Sequence, residues 1–159
     1  YLKALSYYEQ ISDVGRDQRM TELALISLQD VVRRFSKTTY ARDATLKLDL
    51  TRDHLAGKAM EIGRFYLKQG YFLAAINRFR EVIEKYQTTT HVPEALHRLT
   101  EAYLALGVTD EAQTAAAILG HNYPGSEWYK DSYILLGGSN LQPKAKKNSW
   151  LNRVWNWVF

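Results

Sequence analysis

The segment GRFYLKQGYFLAAINRFREVIEKYQ, residues 63–87, decides the fold because a second stretch repeats its pattern. That stretch is TEAYLALGVTDEAQTAAAILGHNYP, residues 100–124, at a constant offset of 37 residues. Identical residues align in the pairs Tyr66 with Tyr103, Leu67 with Leu104, Gly70 with Gly107, Ala75 with Ala112 and Tyr86 with Tyr123. An internal repeat of this length indicates an array of stacked supersecondary units.

Each copy of the repeat predicts two antiparallel helices. The first helix ends at a glycine, which permits a left-handed cap, and the second carries a small alanine on its inner face, which lets the helices approach closely. This is the tetratricopeptide pattern, whose usual unit has about 34 residues. In the second copy Thr100 replaces the signature glycine found at Gly63, and Ala116 replaces the large apolar Phe79. We expect looser packing at these two positions.

The repeat extends over most of the chain. A more divergent unit precedes the two clear copies, and apolar residues between Tyr40 and Lys68 recur at helical intervals, which predicts one long helix. Ser126 is a candidate N-cap for a last helix. The fold class is therefore expected to be all-α, a tetratricopeptide-repeat superhelical solenoid of about three helical hairpins plus a carboxy-terminal capping helix. We assign the solenoid to residues 1–136, its repeats to about 1–37, 40–87 and 92–124, and the cap to 126–136.

All of the excess positive charge lies near the carboxy terminus. Residues 1–131 carry 17 basic and 17 acidic side chains, and the net charge of +4 comes from Lys144, Lys146, Lys147 and Arg153. A nucleic-acid groove on the repeat body would need a basic patch there, so nucleic acid is not an expected partner. Residues 137–149, GGSNLQPKAKKNS, have the composition of a flexible basic linker.

The last ten residues, WLNRVWNWVF at 150–159, form an aromatic tail. As a helix, the tail would place five apolar side chains on one face, namely Trp150, Leu151, Val154, Trp155 and Val158. Phe159 would lie beside this face. Such an amphipathic end suits a membrane surface or the groove of a partner protein. A third alternative is that the tail folds back onto the repeats, and the sequence leaves all three open.

The residues that enzymes and metal sites require do not form recognisable patterns. Cysteine is absent, and the four histidines, His54, His91, His97 and His121, lack metal-ligand spacing. We therefore expect surface or capping histidines. The sequence contains neither a phosphate-binding GKS or GKT motif nor a GxSxG nucleophile motif. The prediction is a protein without cofactor or catalytic site, which acts through its surface.

Several loops resemble the BamD family of outer-membrane assembly lipoproteins, most closely its alphaproteobacterial members. They are ISDVGRDQ (11–18), YARDA (40–44), RDHLAGK (52–58), AAINRF (74–79) and LGHNYPGSEWY (119–129). The likeness covers about residues 1–136, and these loops are not part of the generic repeat signature. A periplasmic adaptor related to the Tol-Pal coordinator is the alternative, because such proteins share turns like RFSKTTYARDA at 34–44.

The resemblance implies a location and a set of partners. Family members have five repeats and an amino-terminal lipid that anchors them to the periplasmic face of the outer membrane. This chain would hold the last three repeats, with the lipidated cysteine and two repeats upstream. The implied partners are the POTRA domain of BamA, the other lipoproteins of the assembly complex and unfolded outer-membrane proteins.

The resemblance also implies a binding site on the second helix of the middle repeat. Asn77 and Arg78 match the family's contact with the POTRA domain, where Arg78 would pair with an acidic residue, and Glu81 lies one turn further on. The competing interpretation is a surface arginine paired with Glu81 or Glu84. Ala59 stands where a glutamate is expected, which puts any contact made by that acid in doubt.

Overall fold

A computed structural model of the chain describes residues 1–13 and 15–155. This part is built of α-helices and contains no strand. The helices are α1 (Leu2–Tyr8), α2 (Arg19–Arg34), α3 (Thr39–Lys68), α4 (Phe72–Lys85), α5 (Val92–Ala105), α6 (Thr109–Asn122), α7 (Glu127–Gly138) and α8 (Trp150–Trp155). The all-α, tetratricopeptide-type fold class expected from the sequence is confirmed.

The chain divides into two compact units, residues 1–58 and residues 59–159. In the first unit, α1 packs on α2 and both meet the first part of α3. The buried apolar cluster of this unit consists of Ala4, Ala24, Leu28, Val31, Ala44 and Leu48. Tyr1 adds a hydrogen bond from its hydroxyl group to the Asp43 carboxylate.

In the second unit, α5 is the central helix. It packs against α4, α6 and α7, and α8 lies on α6. The apolar face of α5 is accordingly buried, with Ala95, Leu96, Leu99 and Ala102 all at 0% exposure. Helices α4 and α6 occupy equivalent places in the two repeats that were aligned by sequence.

The two repeat glycines adopt the conformation that their role requires. Gly70 has φ +80° and Gly107 has φ +75°, in the left-handed region that residues with a Cβ rarely enter. Each glycine follows the last turn of a first helix. The amide groups of the next residues, Tyr71 and Val108, donate back to the carbonyl groups of Tyr66 and Tyr103. These bonds satisfy helix-end carbonyl groups that would otherwise lack a partner.

The signature positions are buried in both repeats. A Cβ atom at Gly63 would lie 2.5 Å from Cε1 of Phe79, so the phenyl ring occupies the space that a side chain would need. In the other repeat Thr100 and Ala116 are both fully buried. Both positions are therefore inside the repeat, and the looser packing expected there stays a prediction.

Two predicted helix starts have their capping residues. The hydroxyl oxygen of Thr38 accepts a hydrogen bond from the backbone amide of Ala41 at 3.2 Å, at the beginning of α3. The hydroxyl oxygen of Ser126 accepts from the amide of Trp128 at 3.2 Å, at the beginning of α7. Each hydroxyl satisfies one of the amide groups that a helix leaves open in its first turn.

The segment after α7 differs from the flexible linker expected for residues 137–149. Gly137 and Gly138 still belong to α7, and residues 142–146 lie along α6. Side-chain groups of α6 provide the physical reason. Gln113 donates to the carbonyl oxygen of Gln142 at 2.8 Å, and the hydroxyl oxygen of Thr114 accepts from the amide of Lys146 at 3.0 Å. We call residues 141–155 the carboxy-terminal strap.

His97 is neither a surface nor a capping residue, which corrects the expectation for this histidine. Its side chain is only 6% exposed, and its Nδ1 atom lies 2.8 Å from the hydroxyl oxygen of Ser132 on α7. The Trp128 ring lies beside it, with ring centres 5.4 Å apart. Burial lowers the pKa of His97 although Glu101 opposes the shift. The residue joins α5 to α7.

Candidate docking site

The predicted partner-binding residues lie together on the outer surface of α4. Asn77, Arg78 and Glu81 line one open cleft. Its complete lining, which we call the α4 docking face, is Tyr66, Ala74, Asn77, Arg78, Arg80, Glu81, Glu84 and Lys85. Seven of these residues belong to α4, and Tyr66 comes from the end of α3.

The helical repeat explains why these residues share a surface. At 3.6 residues per turn, Arg78 stands at one edge of the docking face and Arg80 at the other, about 160° apart around the helix axis. Asn77, Glu81 and Glu84 lie between the two arginines. Sequence analysis missed Arg80 as a member of the site, although its helical spacing from Asn77 and Glu84 could have indicated it.

The charges on this face are paired with one another along α4. Glu81 contacts Arg78 at 3.5 Å and Lys85 at 3.4 Å, while Arg80 reaches Glu84 at 2.7 Å. The Arg78–Glu81 distance is long for a hydrogen bond, and the Arg78 side chain is 43% exposed. An incoming carboxylate can therefore reach the Arg78 guanidinium without uncovering a buried charge. Guanidinium and carboxylate groups form charge-assisted hydrogen bonds, so the exposed Arg78 side chain is suited to such a contact.

Ala59 is part of the interior of the second unit, with 5% of its surface exposed. The missing glutamate at this position therefore removes nothing from the α4 docking face. The site stands on residues of α3 and α4 alone.

The described part of the aromatic tail folds back onto the second unit. Trp150 and Trp155 are 8% and 6% exposed, Leu151 is fully buried, and Val154 is half-buried. These contacts favour the fold-back alternative over a free membrane-binding or partner-binding face. The two remaining tail residues of that prediction, Val158 and Phe159, lie outside the described residues.

Polar contacts hold the strap on α6. The Nζ atom of Lys146 reaches Asp110 at 3.0 Å, and this hydrogen bond raises the pKa of Lys146. The hydroxyl group of Ser149 donates to Glu111 at 2.6 Å, and its oxygen accepts from the amide of Leu151 at 3.1 Å. The basic tail thus meets the two acidic residues in the first turn of α6.

Trp150 connects the strap to both repeats of the second unit. Its Nε1 atom donates to the hydroxyl oxygen of Tyr103 on α5 at 2.8 Å, and burial raises the pKa of that tyrosine. The guanidinium carbon of Arg80 lies 4.4 Å from the centre of the Trp150 ring. Trp155 packs edge-on against Tyr123, with ring centres 6.5 Å apart. Tyr103, predicted only as a packing residue, also holds the strap.

Metal clusters and membrane-spanning helices are both absent from the part of the chain that the structure describes. Within residues 1–13 and 15–155, the acidic and histidine side chains form no cluster suited to a metal ion. Among the helices of that same part of the chain, none combines the length and hydropathy needed to cross a membrane.

The fold and this surface define a class: a tetratricopeptide-type repeat protein with an open, charged face on α4. A family model described as "Outer membrane lipoprotein" (YfiO) matches residues 1–119. The chain therefore belongs to the BamD family of outer membrane lipoproteins, which confirms the resemblance and the expected association with the outer membrane.

Individual relatives agree with this assignment. The chain is 58% identical over 146 residues to the outer membrane protein assembly factor BamD of Caulobacter vibrioides, covering 92% of this chain and 48% of that protein. The protein of the same name from Rickettsia prowazekii is 57% identical over 136 residues, covering 86% and 54% of the two chains. That of Neisseria meningitidis serogroup A is 36% identical over 111 residues, covering 70% and 42%.

The chain thus spans about half the length of the Caulobacter and Rickettsia proteins. The matches favour the BamD resemblance over the Tol-Pal coordinator alternative. They do not identify the surface that meets a partner, for which the geometry of α4 provides the argument.

Proposed function

We propose that this chain is a non-enzymatic scaffold in the assembly of outer-membrane β-barrel proteins and that it docks on the POTRA region of BamA. The relatives from Caulobacter and Rickettsia are named outer membrane protein assembly factors, and the chain shares more than half of its aligned residues with each. Other lipoproteins of the complex and unfolded outer-membrane proteins are further partners under this proposal.

The observation that carries the proposal is the position of Arg78. Its side chain is 43% exposed at the edge of the α4 docking face, and within the described residues its ion pair is the long contact with Glu81. An acidic residue on the POTRA surface can bind this guanidinium in a bidentate geometry, while Lys85 retains the Glu81 carboxylate. The interfacial pair replaces a weak contact within the helix by a stronger contact between proteins.

Binding of this chain to the isolated POTRA region of its cognate BamA tests the proposal, with an Arg78→Glu variant alongside. Reversing the charge places like charges opposite each other and leaves a partner carboxylate without its counterion. We expect a loss of about 2–5 kcal/mol of binding free energy, which a titration or surface-binding measurement would detect.

Arg33→Glu is the matched control. Arg33 also pairs with an acidic residue one helical turn away, Asp30 at 2.8 Å, but it lies on α2 in the first unit. The control changes the net charge equally and should leave the affinity nearly unchanged. If both variants lose affinity alike, general electrostatic attraction explains the binding and the α4 docking face does not. If the wild-type chain fails to bind, the proposal is wrong.

A further inference from the structure

Arg80 is held in place from two directions. Its Nε atom donates to Glu84 at 2.7 Å, and its guanidinium carbon lies over the Trp150 ring, 4.4 Å from the ring centre. An exposed arginine normally samples many rotamers, and ordering it on binding costs conformational entropy. In this protein the hydrogen bond to Glu84 and the contact with the Trp150 indole together restrict the Arg80 guanidinium.

Trp150 is itself immobilised by the strap and by α5. It is 8% exposed, and its Nε1 atom donates to Tyr103 at 2.8 Å. The preceding residue, Ser149, is fully buried and bonded to Glu111 on α6. The indole ring therefore cannot rotate away from Arg80 without breaking a buried hydrogen bond.

We propose that Arg80 is a second cationic contact of the α4 docking face and that Trp150 is the positioning residue that orients it. This inference rests on the proposed docking function and adds to it a specificity for the partner. The partner surface would carry two acidic groups that reach the two edges of α4, one at Arg78 and one at Arg80.

The chemistry of the guanidinium group supports this role. Arginine can contact an aromatic ring and still donate its remaining N–H groups to a carboxylate. Glu84 takes the Nε side, and the Arg80 side chain is still 43% exposed. Because Trp150 orients the group in the free protein, less entropy is lost when the partner binds.

The test is a set of affinities for the isolated POTRA region of the cognate BamA, measured with the full chain. Trp150→Leu keeps an apolar side chain in the strap but removes the ring that covers Arg80, and we expect about fivefold weaker binding. Trp150→Phe keeps a ring and should restore most of the affinity. Trp155→Leu is the matched control, because it removes another buried tryptophan of the strap, one that packs against Tyr123.

An Arg80→Ala background separates positioning from general stabilisation of the fold. If Trp150 acts through Arg80, Trp150→Leu causes no further loss of affinity when Arg80 is already alanine. An equal loss in both backgrounds would overturn the inference. So would a loss that follows the melting temperatures of the variants, with Trp155→Leu as weak as Trp150→Leu. Failure of the wild-type chain to bind would instead overturn the docking function, and this inference with it.

Discussion

At position 63 the absence of a side chain sets how closely two helices of the second unit approach. The Phe79 ring fills the space beside Gly63, and this phenyl group is fully buried. A buried ring cannot move aside as the end of an exposed side chain can. If a side chain were added at position 63, the helices would have to separate or the Phe79 ring would have to leave its rotamer. The sequence identified Gly63 and Phe79 as signature residues. Only the structure shows that the Phe79 ring occupies the space that a side chain at position 63 would need.

We therefore predict that Gly63→Ala destabilises the second unit. The new Cβ atom would lie 2.5 Å from Phe79 Cε1, and relief of this overlap costs about 1–3 kcal/mol. The better helix propensity of alanine offsets up to about 1 kcal/mol of that cost. Chemical denaturation followed by circular dichroism measures the change.

Gly137→Ala is the control for this prediction. Gly137 lies in α7, and a Cβ atom there would meet nothing within 4 Å. The substitution should leave stability unchanged or raise it. Equal destabilisation by both substitutions would show that helix glycines matter for a reason other than the contact with Phe79.

On the scale of helices, the buried histidine determines how α7 is attached. His97 on α5 contacts Ser132 on α7 through Nδ1 at 2.8 Å, while its Nε2 atom lies 3.7 Å from Glu101. Arg98, Asp131 and Glu94 are the other charged groups that act on the ring. Burial lowers the pKa of His97 more than the nearby carboxylates raise it, so the neutral ring is favoured in the folded protein.

This shift predicts a pH dependence of stability. In the unfolded chain His97 takes up a proton near its ordinary pKa of 6.5, whereas the folded chain takes it up only at lower pH. The unfolded state therefore binds more protons in between, and stability falls as pH decreases through this window. Denaturation curves from about pH 8 down to pH 5 should show this loss.

His97→Gln removes the titrating group and should flatten the pH dependence, whatever it does to stability at neutral pH. His121→Gln is the matched control, because His121 is exposed on α6 and should keep the wild-type slope. A wild-type slope in His97→Gln would assign the acid sensitivity to other groups.

The strap, also at the scale of helices, shows why composition alone predicted a flexible linker at residues 137–149. Gly, Ser, Asn and Lys residues have low packing potential by themselves, so the sequence predicts a flexible linker. The backbone of the strap is ordered by groups on α6, because Gln113 and Thr114 offer hydrogen bonds and Asp110 and Glu111 offer negative charge. Those partners lie about 30 positions away in the sequence, where no local pattern connects them to the strap.

On the scale of the whole molecule, the docking face and the strap belong to the same compact unit. Every residue that lines the α4 docking face lies between positions 66 and 85, and the strap lies between 141 and 155. Both fall within residues 59–159, which have a core of their own.

A fragment of residues 59–159 is therefore expected to fold and to keep the binding of the whole chain. Circular dichroism should show a helical fragment that unfolds cooperatively. Its affinity for the POTRA region should be within a few fold of the affinity of the full chain, a difference in binding free energy of about 1 kcal/mol or less. A fragment that is folded but does not bind would show that residues 1–58 supply contacts to the partner. A fragment that does not fold would show that the second unit depends on the first.

The sequence by itself determined the fold class, the left-handed glycine caps and the family, because each depends on local spacing along the chain. The periodicity of alanines and tyrosines predicts paired helices, and glycine at positions 70 and 107 is required by backbone geometry alone. The resemblance to the family also indicated Asn77, Arg78 and Glu81 as binding residues on one helix. Only the tertiary structure decided that the aromatic tail returns to α6, that His97 is buried and that Trp150 covers Arg80. Those outcomes depend on contacts between residues far apart in sequence, and the free energy of such contacts exists only once the helices have packed.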